Sequence, residues 1–592
     1  MQNSSELYLS GLNEQQRDAV LCRADIVFVE AGPGTGKTHL LTSKLVDFIE
    51  SSSEPQKVAA LSYTNTAVRQ IGDRFRQKAA QSGITRDYSF FNGTIHSFCF
   101  RMMRAYHEEM SRSFDYVILD DEEIHELSQD IKDSTGEDIP LSVIADCLHG
   151  NTRNADQKLS RAVSLIKESY HIISISDILI IFIRTLDEDE GFRRWLSKQV
   201  TVMAVDEAQD LSALNYEILD RMLGIIPGMK LFLVGDPRQN IFEFNGGSYR
   251  NLDGFLSKHA NHETKHLTMT YRCGQAIADY VNTFRFSDCD NMGLKSMCPV
   301  PGDISVRRAP SENVEAMQVL EAILATGDIS SCAVLCNNLK YTESIISLLR
   351  KDNIPYKVFG GRKTLKKHVR FINHIIRIID SNNAYSIRKV AQYAGIDIVR
   401  DGKKRKSAFF ESDLGQIITS IREGMEGRPF PAVMDAVLSQ IMRDPSDEEE
   451  VTEDFDRLQE IAGQYATAAD YLLSFATDKE MFADFYLKDY QECSVPTDKG
   501  YLTISTIHSA KGLEWDNVFI MGLCEGNFPN PYFCKDLPEE EQVEFFNGEW
   551  KKMYVASTRA RKSLCLTYPS SICRKGYNFH KAPSRFIGRQ YI

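Results

Sequence analysis

The sequence predicts an α/β protein with parallel sheets in two domains, each interrupted by a mainly helical insertion. Three observations predict it. A short apolar run, Val27-Phe28-Val29, passes through a glycine-rich loop into a helical pattern that continues through Leu40, Leu41 and Leu45. The same order of strand, polar loop and helix recurs along the chain, as it does where helices join parallel strands. Two stretches, about 104 to 196 and about 383 to 498, are polar and helical and lack that alternation.

At 592 residues the chain is too long for one core and suggests roughly three to five compact units. A hydrophobic content of 43% with 26% charged residues describes an ordinary globular protein. The N-terminal Met-Gln-Asn-Ser-Ser-Glu lacks the basic and apolar regions of a secretory signal. No apolar run approaches the ~18–20 residues of a membrane span. The longest, Ile172 to Ile183, is broken by Ser174, Ser176 and Asp177. A cytoplasmic protein that does not engage a membrane is expected. The thirteen cysteines are scattered without a C-x-x-C pair, which suits reduced thiols better than disulfides or zinc. A net charge of −13 argues only mildly against a nucleic-acid partner, because a large protein can carry a local basic groove on an acidic body.

In chain order, Gly11 to Val20 reads as a short helix capped by Asn13. Gln16 projects one turn later, and its amide offers the donor and acceptor that an adenine edge requires. The loop Ala31-Gly32-Pro33-Gly34-Thr35-Gly36-Lys37-Thr38 follows the first strand. Backbone N–H groups in such a loop, backed by a helix N-terminus, cradle phosphate oxygens. Lys37 would reach the β- and γ-phosphates of ATP, and the Thr38 hydroxyl would hold Mg²⁺. Ala31 stands where the usual pattern begins with Gly.

A second strand, Val58 to Tyr63, leads into a helix opened by Thr64-Asn65-Thr66, and the block Phe91 to Phe98 repeats the form with His96. Such residues at the carboxyl ends of parallel strands sit where ligands bind, or they cap the next helix; both readings stand. The acidic run Asp120-Asp121-Glu122-Glu123 reads as a solvated face. Thr201 to Asp210 is a buried strand ending in two adjacent carboxylates. Asp206 would bind Mg²⁺ and Glu207 would take the proton from the attacking water. After the strand Leu231 to Val234, Gln239 would sit near the γ-phosphate. Phe242 and Phe244 alternate on one face, to stack on unpaired bases or to fill core.

A second α/β unit starts near Leu267, with Thr270-Tyr271-Arg272 before a helix through Ile277 and Tyr280. Strands are expected at Ser305-Val306, Ala333 to Leu335, Tyr356 to Phe359, Leu502 to Thr506, Val518 to Met521 and Ser563 to Tyr568. A final helix, Gln542 to Ala560, carries Arg559 at its end. The second insertion holds a basic run, Lys403-Lys404-Arg405-Lys406, and an acidic one, Asp447 to Glu450.

With these blocks in order, the chain resembles the superfamily 1 DNA helicases of the UvrD/PcrA/Rep type. The most specific matches are Ala31–Thr38, Val205–Asp210, Thr506–Glu514 (Thr-Ile-His-Ser-Ala-Lys-Gly-Leu-Glu) and Tyr554–Ala560, with Glu525-Gly526-Asn527-Phe528-Pro529 beside them. The resemblance implies two RecA-like P-loop domains. The first would comprise 1–103 and 197–266, with a 1B-like insertion at 104–196. The second would comprise 267–382 and 499–592, with a shortened 2B-like insertion at 383–498. It implies that Gln16 contacts adenine, Tyr271 stacks on the base, Arg272 and Arg559 reach the γ-phosphate, and Glu514 lies near the ribose and phosphates. It also implies that Tyr63, Thr64, Asn65, His96, Phe242, Phe244, Thr506 and His508 line a single-strand track. Departures are Tyr63 for Phe, Phe244 for Trp, Asn245 and Asn337 for Arg, and Trp550-Lys551-Lys552 for the usual Glu-Arg-Arg-Leu wording.

The expected function is an ATP- and Mg²⁺-dependent helicase moving 3′ to 5′ on single-stranded DNA and at single/double-strand junctions. About 24 residues follow the last strand, which is read as leaving no room for a nuclease domain. An alternative is therefore a DNA-stimulated ATPase that senses DNA beside a partner nuclease in anti-phage defence. A third reading is a P-loop ATPase that never touches DNA.

Overall fold

The computed structural model describes residues 4–588 except 85, 113, 115, 136–138, 153–154, 244–245, 260, 361–362, 401–402, 405, 442–448, 478–480, 483–484, 489–499 and 575–576. Phe244, Asn245, Arg405 and Asp447 thus lie outside the described residues. The chain forms two compact units, one of Met1–Thr94, Leu196–Arg362 and Asp489–Ile592, the other of Ile95–Trp195 and Lys363–Lys488.

The first unit holds two six-stranded parallel sheets. The first sheet comprises β1 (Ile26–Ala31), β2 (Gln56–Leu61), β3 (Tyr88–Gly93), β4 (Val202–Val205), β5 (Lys230–Gly235) and β6 (Glu263–Leu267). Their spatial order is β3-β2-β4-β5-β1-β6. The second comprises β7 (Asp303–Ala309), β8 (Cys332–Cys336), β9 (Tyr356–Phe359), β10 (Leu502–Thr506), β11 (Trp515–Ile520) and β12 (Ala560–Pro569), ordered β7-β12-β11-β8-β10-β9. Central strands such as β4 and β8 are buried along their whole length, which explains their continuous apolar runs. Helices α1 (Glu14–Leu21), α2 (Lys37–Ser51) and α3 (Asn65–Ser82) supply part of the first sheet's cover. Leu40, Leu41, Leu45 and Val46 of α2 pack with Val27, Val29 and Phe232 of the strands.

The second unit is mainly helical and joins the two insertions. Helix Lys367–Ser381 belongs to it, burying Val369, Ile372, Ile375 and Ile376 in its own core with Phe409, Met434 and Tyr471. The expected boundary at 382 places this helix with the second sheet. A parallel pair of two-residue strands, Val117–Ile118 and Ile172–Ile173, also sits in the first insertion, where no strand was expected. Two residues are too few to show a period. Ser174 then caps helix Ile175–Glu188 with a capping box, which splits the Ile172–Ile183 run into strand and helix.

The acidic run 120–123 corrects the expectation of a solvated face: Asp120 and Glu123 are buried. Glu123 pairs with Arg377, Glu122 and Glu126 pair with Arg370, and Lys389 reaches Glu126 at 2.9 Å. The charges on one insertion are neutralised by those on the other. A pattern read along one segment shows charge but not its distant partner.

Candidate functional site

The phosphate loop runs from β1 to α2. Its backbone is held from both sides: Gly32 N donates to Leu267 O at 3.2 Å, and Thr35 Oγ1 donates to Gly32 O at 2.8 Å. Thr270 Oγ1 donates to Pro33 O and Tyr271 N to Gly34 O, both at 2.8 Å. Gly34 has φ +70°, and a Cβ there would lie 2.3 Å from the Arg272 Cβ, so only glycine lets Thr270-Tyr271-Arg272 approach the loop this closely. Lys37 Nζ donates to Ala31 O at 3.3 Å and has no carboxylate partner among the described residues.

Gln16 is buried, and its amide makes two hydrogen bonds to protein. It accepts from Asn13 N at 3.0 Å, closing a capping box, and donates to Thr35 O at 2.8 Å. Asn13 Nδ2 in turn donates to Tyr271 Oη at 2.9 Å, while the Tyr271 ring is about half exposed. Gln16 thus braces the phosphate loop, and Tyr271 presents an open ring beside it.

At the tip of β4, Asp206 Oδ1 accepts from Glu207 N at 3.0 Å. Its other carboxylate oxygen has no hydrogen-bond partner among the described residues. Glu207 takes the left-handed conformation, φ 53°, and its Oε2 accepts from Gln209 Nε2 at 2.5 Å. Burial, seconded by Glu207, pushes the Asp206 carboxyl up to about 7 against the pull of Lys37. Burial also raises Glu207, but Lys37, Lys511 and the Gln209 amide outweigh it and hold that carboxyl at about 2. Burial thus works against ionisation of Asp206, while the surrounding cations favour the ionised Glu207. Thr38, in the first turn of α2, and the Asp206 carboxylate each offer a hard oxygen donor. Such donors suit Mg²⁺, which takes one or two protein oxygens and completes its shell with phosphate and water.

The second sheet contributes the opposing cations. Arg272 pairs with Glu514, and Arg561 pairs with the other oxygen of Glu514. Burial raises the Glu514 carboxyl, and the two arginines more than reverse that. Arg559 is 1% exposed. Its donors go to Val555 O at 2.9 Å, Leu513 O at 3.2 Å, Thr558 Oγ1 at 3.2 Å and Gln239 Oε1 at 3.1 Å, all neutral acceptors. Burial, with Arg272 beside it, pulls this guanidinium down to about 9. Glu207 and Glu514 pull the other way without touching it, and a buried cation with no carboxylate in contact is costly, so an anion entering here would relieve it.

Along the other edge, Tyr63 and Phe242 stack with centroids 5.3 Å apart and planes at 24°, and Phe242 lies 6.3 Å from the His508 ring. Lys511 Nζ stands 4.9 Å over Phe242, pairs with Asp210 and donates to Gln239 O at 2.8 Å. Rings expected to take bases thus contact one another. Thr64 caps α3 through Ala67 N, Asn65 is its first residue, and Thr506 Oγ1 accepts from Ser509 N. Burial, then Lys552 and Lys511, bring the His508 imidazole down to about 4. His96 opens the helical unit on helix Ile95–Glu109, and burial brings it to about 4 as well.

Sequence reasoning gave no role to Lys511, although it lies inside a quoted motif, nor to Arg561. At the departures, Lys551 is fully buried between Asp288 at 2.5 Å and Glu243 at 3.3 Å, and Lys552 Nζ donates to Asn337 Oδ1 at 3.4 Å.

Comparison with known proteins decides the family. The UvrD/REP helicase N-terminal domain matches residues 12–260, and the UvrD-like helicase C-terminal domain matches residues 419–571. The chain belongs to the UvrD-like helicase family. Among its UvrD-like relatives, an ATP-dependent DNA helicase PcrA of Staphylococcus epidermidis is 23% identical, with 98% of this chain and 86% of that protein covered. The Staphylococcus aureus protein of the same name is 24% identical over the same shares.

Proposed function

We propose that this chain is an ATP-dependent DNA helicase that tracks single-stranded DNA 3′ to 5′ and opens duplex at single/double-strand junctions. The observation that carries the nucleotide half is the pair of cations Lys37, beside the first sheet, and Arg559, beside the second, neither of which has a carboxylate in salt-bridge contact among the described residues. A polyphosphate between them neutralises both and ties the two sheets together, so its hydrolysis loosens the tie. When bound, Mg²⁺ would supply neutralisation of charge on the β- and γ-phosphate oxygens. The ionised Glu207 takes the proton of the attacking water, while Gln239 and Arg559 face the phosphoryl group being transferred. Gln16 braces the loop, and Tyr271 stacks on the base. On the DNA side, Tyr63, Phe242, Thr506 and His508 are the contacts of the sheet unit, with Thr64 and Asn65 beside them, and His96 is the contact from the helical unit. The names of the relatives support the helicase half.

The test is ATP hydrolysis with and without oligo-dT over a salt series, together with unwinding of 3′-tailed and 5′-tailed duplexes. Stimulation that weakens with salt, and opening of the 3′-tailed duplex only, is expected. Lys37→Ala should lose nucleotide binding, and Glu207→Gln should keep it while losing turnover. Turnover by Glu207→Gln at the parent rate would overturn the base assignment. Stimulation without unwinding of either duplex would favour a DNA-sensing ATPase.

A further inference from the structure

Arg238 lies in the turn after β5 and is among the largest fully buried side chains. Its Nε donates to Asp236 Oδ1 at 2.6 Å, and its Nη1 lies 3.2 Å from Glu30 Oε1. The guanidinium also donates to Asp290 O at 3.3 Å and meets the Met292 sulfur. Two carboxylates and a carbonyl surround one planar fork, a set that a lysine ammonium cannot span.

What Arg238 holds is the fully buried Asp236. With Oδ1 turned to Arg238, Asp236 Oδ2 accepts from Gln239 Nε2 at 2.7 Å. The Gln239 amide then has no choice of orientation: its nitrogen is spent on Asp236, so its oxygen faces Arg559 Nη2 at 3.1 Å. The backbone N–H of Asp236 donates to Gln209 Oε1 at 3.0 Å, and the Gln209 nitrogen donates to Glu207. Gly235 makes room for that second amide, since a Cβ there would lie 2.5 Å from Gln209 Oε1. A single turn, 235–239, therefore sets two amides, one aimed at Arg559 and one at Glu207.

We infer that Arg238 is a positioning residue for nucleotide hydrolysis, fixing the Asp236 carboxylate and through it the amide of Gln239. The inference rests on the hydrolytic reading proposed above. Without the Arg238 side chain, Asp236 Oδ1 keeps only the Arg238 backbone N–H at 3.2 Å, the carboxylate is free to turn, and the Gln239 amide loses the fixed acceptor that points its oxygen at Arg559.

The test uses Arg238→Met and Arg238→Lys in the full chain, each alone and with Gln239→Ala. Three quantities are read: kcat and KM for ATP with oligo-dT, affinity for ADP, and affinity for a non-hydrolysable ATP analogue. Arg238→Met should lower kcat at least tenfold and leave ADP affinity within about twofold. It should also lose the preference for the triphosphate analogue, and with Gln239→Ala it should lower kcat no further. Arg238→Lys keeps a charge beside Asp236, folds if Arg238→Met does not, and should show the same pattern at reduced size. An unchanged kcat in a folded variant, or the same fractional loss with and without Gln239, overturns the inference. A parent protein that binds the analogue but does not hydrolyse ATP sinks the hydrolytic reading instead, and the binding preference still tests Arg238.

Discussion

Among the described residues, the buried cations of the helical unit each have a carboxylate in contact, as do Lys44, Arg238 and Lys551 of the sheet unit, whereas Arg559 of the sheet unit has none. Lys44, Arg238, Arg370, Arg377, Lys389 and Lys551 are buried, and each lies within 4 Å of an Asp or Glu. Arg559 is as buried as any of them and, among the described residues, meets only neutral acceptors. The difference separates two uses of one side chain. Arg377 and Glu123 complete each other, so their interaction belongs to the folded protein alone. Arg559 is held in place by carbonyls and by Gln239 with its charge unspent, which is the state a binding site needs before its anion arrives.

The largest effect that would break this contrast is on turnover. Arg559→Met should cost roughly 10³–10⁵ in the rate of ATP hydrolysis, the range for arginines that stabilise a transferring phosphoryl group. A loss below about tenfold would make Arg559 a structural helix-end residue. Arg377→Met should leave Glu123 buried and uncompensated, destabilising the protein by about 3–5 kcal/mol in denaturant unfolding. Hydrolysis by the protein that remains folded should be unaffected.

Glu315 sharpens the contrast with the opposite sign. It is buried with no cation in contact among the described residues, accepting from Gly522 N at 2.9 Å and Thr567 Oγ1 at 2.6 Å, and burial pushes it up to about 7. Between its ordinary pKa and about 7 the folded state binds the proton and the unfolded state does not. Stability should therefore fall as pH rises through that window, by up to about 3 kcal/mol. Glu315→Gln should flatten the pH dependence of unfolding, and an unchanged slope would show that the carboxyl ionises freely. The smallest expected effect is at the DNA edge. If Tyr63 parts from Phe242 to take a base, Tyr63→Ala should weaken oligo-dT binding by about 1–3 kcal/mol, measured by fluorescence anisotropy.

Local signals made much of this legible. A strand, a glycine-rich loop and Lys37-Thr38 announce a phosphate site, and four apolar residues before Asp206-Glu207 announce a strand tip, because both depend on neighbours in the chain. What stayed hidden depends on partners far away. Glu122 finds Arg370 across 248 positions, so the acidic helix read as solvated. Arg238 sits in a Pro-Arg turn that shows nothing of Glu30 or Asp290. Alternating aromatics could not reveal that Phe242 stacks on Tyr63, and Gln16 showed its hydrogen-bonding capacity but not that Asn13 and Thr35 already use it.

The central claim is that Arg559 is buried for an anion rather than for the fold. Measuring the unfolding stability of Arg559→Met, first alone and then with saturating Mg²⁺ and a non-hydrolysable ATP analogue or ADP, tests it most directly. Without nucleotide the variant should be at least as stable as the parent, since a buried unpaired charge has been replaced by an apolar side chain of similar length. With nucleotide the parent should gain more from the triphosphate analogue than from ADP, and the variant should gain equally from both. A variant that is several kcal/mol less stable before any nucleotide is added, yet keeps the parent's preference for the triphosphate, would contradict the account.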